Sequence, residues 1–443
     1  MKNWVLIPAL FMCFLSAHAQ KDSTKVKFDL EVRERFESWN GMNAKNYGNS
    51  APGAIGKLDD NMDLQRIVTG VTITPSSNWE MGAHIQDSRA FGWSLRNALY
   101  PNLFKVHAPG KLFPSYTMNP NEAFFQIYDA YLEYKHLFHY LTVKAGRQKI
   151  AFGDYHLFGS GEWGNTGRWT WDAVNLDYQR GENFIDLFGG GTIIHDPTYT
   201  SLPFVNTEFW GGGLYAHYHW KKVMNIEPFY ALKTQGSAPY IRDEHFDRNW
   251  LGVRAFNNDL VHMVFDVTYV REFGSEEGKP IDVYGYFAKL GYQFFFVPFK
   301  PILTFRESYA SGGNSAEGTV HTFDPAYGAG DKYYGWMNIT SWTNLDDREV
   351  VIEWFPVRGL WIETKYNRFY MPESNVTLLN TMKLIPGDHY FGNEFDIFAR
   401  YQVAKHWQIT GLFGVFHPGN LQPIDGETPK NATTLALQVL FQL

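Results

Sequence analysis

Apolar and polar residues take turns along almost the whole chain. In VKFDLEV (26–32), Val26, Phe28, Leu30 and Val32 share one face, and Lys27, Asp29 and Glu31 the other. VYGYFAKLGYQ (283–293) sets Tyr284, Tyr286, Ala288, Leu290 and Tyr292 against Lys289 and Gln293. EFDIFARYQ (394–402) sets Phe395, Ile397, Ala399 and Tyr401 against Glu394, Asp396 and Arg400. Period two is the pattern of strands with one apolar and one polar face. No run after the N-terminus approaches the roughly 18 apolar residues of a membrane helix.

This alternation predicts strands at 26–37, 64–74, 79–88, 123–134, 141–150, 172–179, 183–190, 211–220, 223–232, 248–256, 260–270, 282–296, 300–309, 348–355, 359–369, 392–402, 406–416 and 432–443. A soluble sandwich can carry the same alternation, so the connections decide. Short turns such as PSSN (75–78), HLFHY (136–140), RGEN (180–183), KK (221–222), NND (257–259) and VAK (403–405) are expected to alternate strictly with long segments such as 89–122, 191–210, 310–347 and 370–391. Loops of that length are uncommon in soluble domains. Short turns at one rim, long loops at the other and an even strand count predict a single transmembrane antiparallel β-barrel. The count is eighteen, with sixteen as the alternative. The closing segment TTLALQVLFQL puts Leu435, Leu437, Val439, Phe441 and Leu443 on one face.

Composition sharpens this. Aromatics make up 17% of the 443 residues, with 40 Gly, yet mean hydropathy is only −0.32. That combination suits a wall in which alternate residues face lipid between aromatic girdles. Residues 1–19 carry the marks of a secretory signal: Lys2, an apolar core over Trp4–Leu15, and Ala17-His18-Ala19 at the cleavage point. The barrel is then expected over 20–443, in the outer membrane. Cys13, the sole cysteine, falls within the signal, which leaves a mature chain without disulfides or Cys ligands. The net charge of −7 argues against a nucleic-acid partner.

One block resembles a known family. FQIYDAYLEYKHLFHYLTVKAGRQKIAFGDYHLFGSGEWGNTGRWTWDAVNLDY (125–178) is similar to the signature region of the alginate export family of outer-membrane barrels. There an AYL-type strand turns into one ending in GRQ. A polar loop with a W-x-N-T-G-R-like element and a D-x-V-x-L-x-Y strand follow. The resemblance implies an eighteen-stranded channel that passes an anionic polysaccharide along a pore lined by Arg and Lys. It also implies partners: membrane lipid, an anionic saccharide ligand and periplasmic polysaccharide-handling proteins.

On this reading loop 151–171 folds into the lumen as a constriction carrying Asn165, Thr166 and Arg168. Gly153, Gly159, Gly161, Gly164 and Gly167 supply its backbone freedom. The expected substrate path is Arg33, Arg66, Lys144, Arg147, Arg168, Arg254, Lys289, Arg306 and Arg400. Strict alternation puts Arg147 on the lipid face, and only a bulge at Gly146 or an early strand end would bring it inside. Either arginine of the loop region, Arg147 or Arg168, can instead pair with wall acids such as Asp129 and Glu133.

Inward-facing acids (Asp29, Glu31, Asp129, Glu133, Asp177, Asp266, Glu353, Glu363, Glu394, Asp396) nearly match the bases in number. This balance favours a rival, a general or differently selective porin. No cofactor is expected. His217 and His219 share a face but have no evident third metal ligand. Asp243-Glu244-His245 and Asp346-Asp347 are expected in long loops. A barrel enzyme is the weakest reading, since no HExxH, G-x-S-x-G or P-loop occurs.

Overall fold

The structure, a computed structural model, describes residues 24–41, 59–99, 105–107, 114–116, 119–167, 169–197, 200–204, 207–220, 223–236, 245–260, 262–313, 318–329, 333–374, 377–379, 382–423 and 430–443. The signal segment 1–19, the KK turn, Asp243, Glu244 and Arg168 therefore lie outside the described residues.

Eighteen strands form one closed antiparallel sheet. They are β1 (Lys25–Asn40), β2 (Asp60–Ser76), β3 (Trp79–Phe91), β4 (Ala123–Leu137), β5 (Leu141–Lys149) and β6 (Thr170–Arg180). Then follow β7 (Asn183–Thr192), β8 (Phe209–Trp220), β9 (Met224–Gln235), β10 (Phe246–Leu260), β11 (Met263–Glu276) and β12 (Lys279–Gln293). The wall ends with β13 (Ile302–Ala310), β14 (Leu345–Trp354), β15 (Leu360–Tyr370), β16 (Tyr390–Ala404), β17 (Trp407–Pro418) and β18 (Ala432–Gln442). β1 pairs with β2 on one side, Arg33 opposite Arg66, and with β18 on the other, Glu31 opposite Gln442. Closure satisfies the backbone without a free edge, as hydrocarbon requires.

The alternation read from the sequence is the inside–outside pattern of this wall. Phe28 (70% exposed), Leu251 (59%) and Phe305 (58%) point outward, with Leu187, Val267, Leu290, Leu435 and Leu437 beside them. Thr268 and Arg306, next to Val267 and Phe305, are buried and point inward, as do Glu394 and Asp396 on either side of exposed Phe395. A continuous apolar belt of this kind needs lipid to cover it. Near the short-turn rim the aromatic pairs Trp79–Tyr134, Tyr140–Tyr178 and Trp407–Phe441 form a girdle.

Two expectations are corrected. The link 271–281 is not a long loop: β11 and β12 continue outward and join through Glu277 (φ 50°) and Gly278 (φ 75°). Two successive positive φ values match the right-handed twist of a hairpin, so the strands extend instead of ending. Asp346 and Asp347 are not in a loop either; both lie in β14, where Asp347 accepts from Asn367 Nδ2 at 2.8 Å.

Inside, the barrel is far from a simple water-filled tube. Loop 150–169 folds inward, and loop 311–344 folds in to meet it. Phe158 and Tyr327 form a parallel bridge. Gly159 N donates to Tyr327 O (2.9 Å), Tyr327 N to Leu157 O (3.0 Å) and Ala329 N to Tyr155 O (3.0 Å). Around this joint Trp171, Phe188, Tyr215, Phe229, Trp250 and Phe287 from the wall pack on Phe158, Tyr327, Tyr333, Tyr334 and Trp342 from the loops. Three indole N–H groups find carbonyls: Trp169 Nε1 donates to Gly328 O (2.9 Å), Trp250 Nε1 to Asp324 O (2.7 Å) and Trp342 Nε1 to Tyr309 O (2.9 Å). Gly211 makes room for the joint, since a Cβ there would sit 1.8 Å from Tyr327 Oη.

Candidate functional site: a clasped loop and a wall of paired charges

Loop 150–169 hangs between β5 and β6, and its far side is clasped by β1, β2 and β3. Inward-facing Arg33 donates to Glu162 O (2.9 Å), Gly164 O (2.8 Å) and Asn165 Oδ1 (2.9 Å). Arg35 donates to Trp163 O (2.5 Å), lies 4.3 Å over the Trp163 ring and pairs with Glu37 at 2.7 Å. Asn165 returns its amide to three carbonyls, Asn121 O (2.8 Å), Gln65 O and Arg89 O (both 3.2 Å). Ser88 Oγ donates to Asn165 O (2.8 Å), and Gln86 Nε2 to Thr166 O (3.1 Å). Asn165 and Thr166 are 0% and 2% exposed. Their place is the clasp itself, and no face of either is open to a passing solute. Desolvated polar groups are costly unless paired, so this network fixes the loop in one position.

Two loop carboxylates are tuned by their neighbours. Burial would raise Asp154, but His156 (2.9 Å) and Arg254 (3.6 Å) hold it far below the usual carboxylate range. Burial would likewise raise Glu162, yet the Lys149 ammonium at 2.8 Å, with Arg66 and Ser160, brings it down to about 2. His156 is enclosed by Tyr333, Phe287 and Trp342, which ties loop 150–169 to loop 311–344 a second time.

The remaining expected path residues separate by partner. Arg66 is spent on Glu31 at 2.5 Å. Arg254 is forked onto Asp266 (2.9 and 2.6 Å) and touches Glu227 at 3.0 Å. Arg306 lies 3.6 Å from Glu349 and 3.5 Å from Glu363. Lys144 is held loosely, 3.5 Å from Glu133 and 3.6 Å over the Tyr131 ring. Lys289 and Arg400 have no carboxylate within ion-pair distance among the described residues. Arg400 is exposed, 5.4 Å over the Phe398 ring. His217 and His219 each face a nearby partner, Glu227 (2.8 Å) and Asn225 (2.7 Å).

Arg147 does not line the lumen. The register runs unshifted through Gly146, opposite Tyr131 and Ala173, so Arg147 keeps the outward face of Val143 and Ala145. A bare arginine on a lipid face costs about 2–4 kcal/mol at the midplane. Here it is 0% exposed near the long-loop rim. Outward-facing Asp172 takes it in a fork (2.8 and 2.9 Å), not Asp129 or Glu133. Ser201 O (2.6 Å) accepts from it, and Phe204 N donates to Asp172 Oδ2 at 2.8 Å. Arg147 and Asp172 thus hold Ser201 and Phe204 against the wall. Alternation shows the face; only the fold shows the cover.

A closed wall, apolar outside and ion-paired inside, narrowed by loops that enter from one rim, defines an outer-membrane channel of the porin type. The chain belongs to the alginate export family, whose family model matches residues 24–434. Among solved structures it is similar to Acinetobacter baumannii OccAB2 (TM-score 0.61, 10% identity, 95% of this chain and 98% of that one). Pseudomonas aeruginosa OccK5 (OpdH) gives 0.58 at 10% identity, covering 95% and 98%. Pseudomonas aeruginosa OpdQ gives 0.56 at 12%, covering 94% and 97%. At such identities the likeness is one of fold. A search of curated proteins finds no match. Family and fold are those of outer-membrane channels, not of enzymes.

Proposed function

We propose that this channel passes an anionic saccharide or polysaccharide. The observation that carries the reading is the contrast among inward-facing cations. Arg33, Arg66, Arg254 and Arg306 are occupied by oxygens of the protein, whereas Lys289 and Arg400 are not. Both stand four residues from the short-turn end of their strands, so the unspent positive charge lies in the half below the two inward loops. Loosely held cations at intervals attract carboxylates yet let a polymer leave as readily as it enters. Arg168, next in sequence to Gly167 of the clasped loop, belongs to the same proposal, and residues 1–19 are read as the export signal.

A general or differently selective porin is favoured instead by the ion-paired wall, which is nearly neutral as a whole. Single-channel recording in planar bilayers separates the two. Interruption of the current by added polyuronate supports the saccharide channel, and steady current with weak selectivity supports the porin.

A further inference from the structure

Below the joint of the two loops the wall carries a second, smaller aromatic group. Trp336, from loop 311–344, stacks on Phe398 of β16 with ring centroids 4.0 Å apart and planes 11° off parallel. Trp336 is locked from behind: its N donates to Asp396 Oδ2 (3.0 Å) and its Nε1 to Glu363 Oε1 (2.7 Å). Both rings are buried, with Phe398 at 0% exposure. Trp163, from the clasped loop, approaches this pair edge-on at 5.8 and 5.7 Å. The Trp361 ring of β15 lies 5.6 Å from the Phe398 ring. Trp163 and Trp361 are only partly buried. Arg400 stands beside them, its guanidinium 5.4 Å from the Phe398 ring and 5.8 Å from the Trp361 ring.

We propose that Trp163, Trp361 and Arg400, seated on the Trp336–Phe398 stack, form a subsite for one acidic pyranose unit of a saccharide in transit. This rests on the saccharide-channel reading and adds to it the place and the chemistry of recognition. A pyranose ring has flat C–H faces and a hydroxyl-bearing edge, so an indole can cover a face without competing for the hydroxyls. A uronate adds one carboxylate at the ring edge, which matches the planar fork of an arginine that has no protein carboxylate to hold. The wall acids that hold Trp336 are engaged there: Glu363 with Trp336, Arg306 and Lys365, and Asp396 with Trp336. The rings alone would accept a neutral sugar, and the guanidinium alone any small carboxylate. Together they select an acidic saccharide. Four elements build the set, and two of its rings come from the inward loops, so its shape depends on the clasp described above.

The test is single-channel block by three probes: a uronate oligomer, a neutral glucose oligomer of equal length, and acetate. Wild type should hold the uronate longest, the neutral oligomer more briefly and acetate not measurably. Arg400→Gln should shorten uronate residence about tenfold, to that of the neutral oligomer, the loss of one charge-assisted contact. Trp361→Ala should shorten both saccharides in proportion. Folding of each variant is checked by its heat-modifiable mobility on gels, and Trp361→Leu replaces the alanine variant if that fails to insert. Uronate residence that stays within about twofold of wild type in both variants overturns the subsite and leaves the channel reading standing. A wild type that uronate does not block at all overturns both.

Discussion

The two loops that enter the lumen reach the same joint by different means. The far side of loop 150–169, residues 162–166, is held by polar groups: Arg33, Arg35, Ser88 and Gln86 donate to it, and Asn165 donates back to three carbonyls. Loop 311–344 is held mainly by area, with Tyr327, Tyr334 and Trp342 sunk among wall aromatics. Even its buried cation contact, Lys233 to Asp324 at 2.8 Å, is made beside the Trp169, Phe209, Trp250 and Tyr327 rings. A polar clasp is all-or-none, because one missing donor strands several acceptors. An aromatic anchor spreads the same task over many small contacts. The clasp should therefore be the more fragile of the two to single substitutions.

The largest effect is expected at Arg33. Arg33→Ala strands Glu162 O, Gly164 O and Asn165 Oδ1 together, a local loss of about 3 kcal/mol. Hydrogen exchange over 160–167 in detergent should then quicken roughly a hundredfold, and unchanged exchange would contradict the clasp. Gly211→Val tests the other anchor by pushing a side chain into the space of Tyr327 Oη, at about 1–3 kcal/mol. Protection should fall at 325–329 and, through the shared bridge, at 157–159 as well. Loss at only one of the two would show that the loops are not coupled.

The smallest effect concerns acid. Glu162 has its carboxyl lowered from 4.5 to about 2, so what it adds to the clasp is complete above the unfolded value and is lost only as pH falls toward about 2. Asp154 is shifted in the same direction. Current noise attributable to the loop should therefore stay constant from neutral pH down to about 4.5 and rise only below it. A rise between pH 7 and 5 would mean that the Glu162–Lys149 pair does not hold the loop.

The same contrast explains what could be seen in the sequence. The eighteen strands follow from alternation, which is plainest where lipid outside meets charge inside, as in β1, β12 and β16. The outward face of Arg147 followed from the same rule, but its partner Asp172 and its cover at Ser201 are set by the neighbouring strand and by chain more than fifty residues away. Loop 150–169 announced itself through glycines and a polar motif, though as a constriction bearing Asn165 and Thr166, not as a clasp that encloses them. Arg33 as its anchor could not be found, since the contact spans about 130 residues of chain. Loop 311–344 gave weaker signs, the aromatic run YYGWMNITSW and the glycine triplet 211–213, which is where the wall stands back for Tyr327. The hairpin through Glu277 and Gly278 was lost because REFGSEEGKP is polar on both faces, as a strand that leaves the membrane has no lipid side to mark.

In the proposed channel two unspent cations, Lys289 and Arg400, set what the barrel conducts, not the many paired ones. The reversal potential of single channels across a KCl gradient tests it, with wild type beside the Lys289→Gln/Arg400→Gln double variant. Wild type should prefer chloride, and the double variant should lose that preference. A wild type that prefers potassium, or a double variant that keeps the chloride preference, would contradict it.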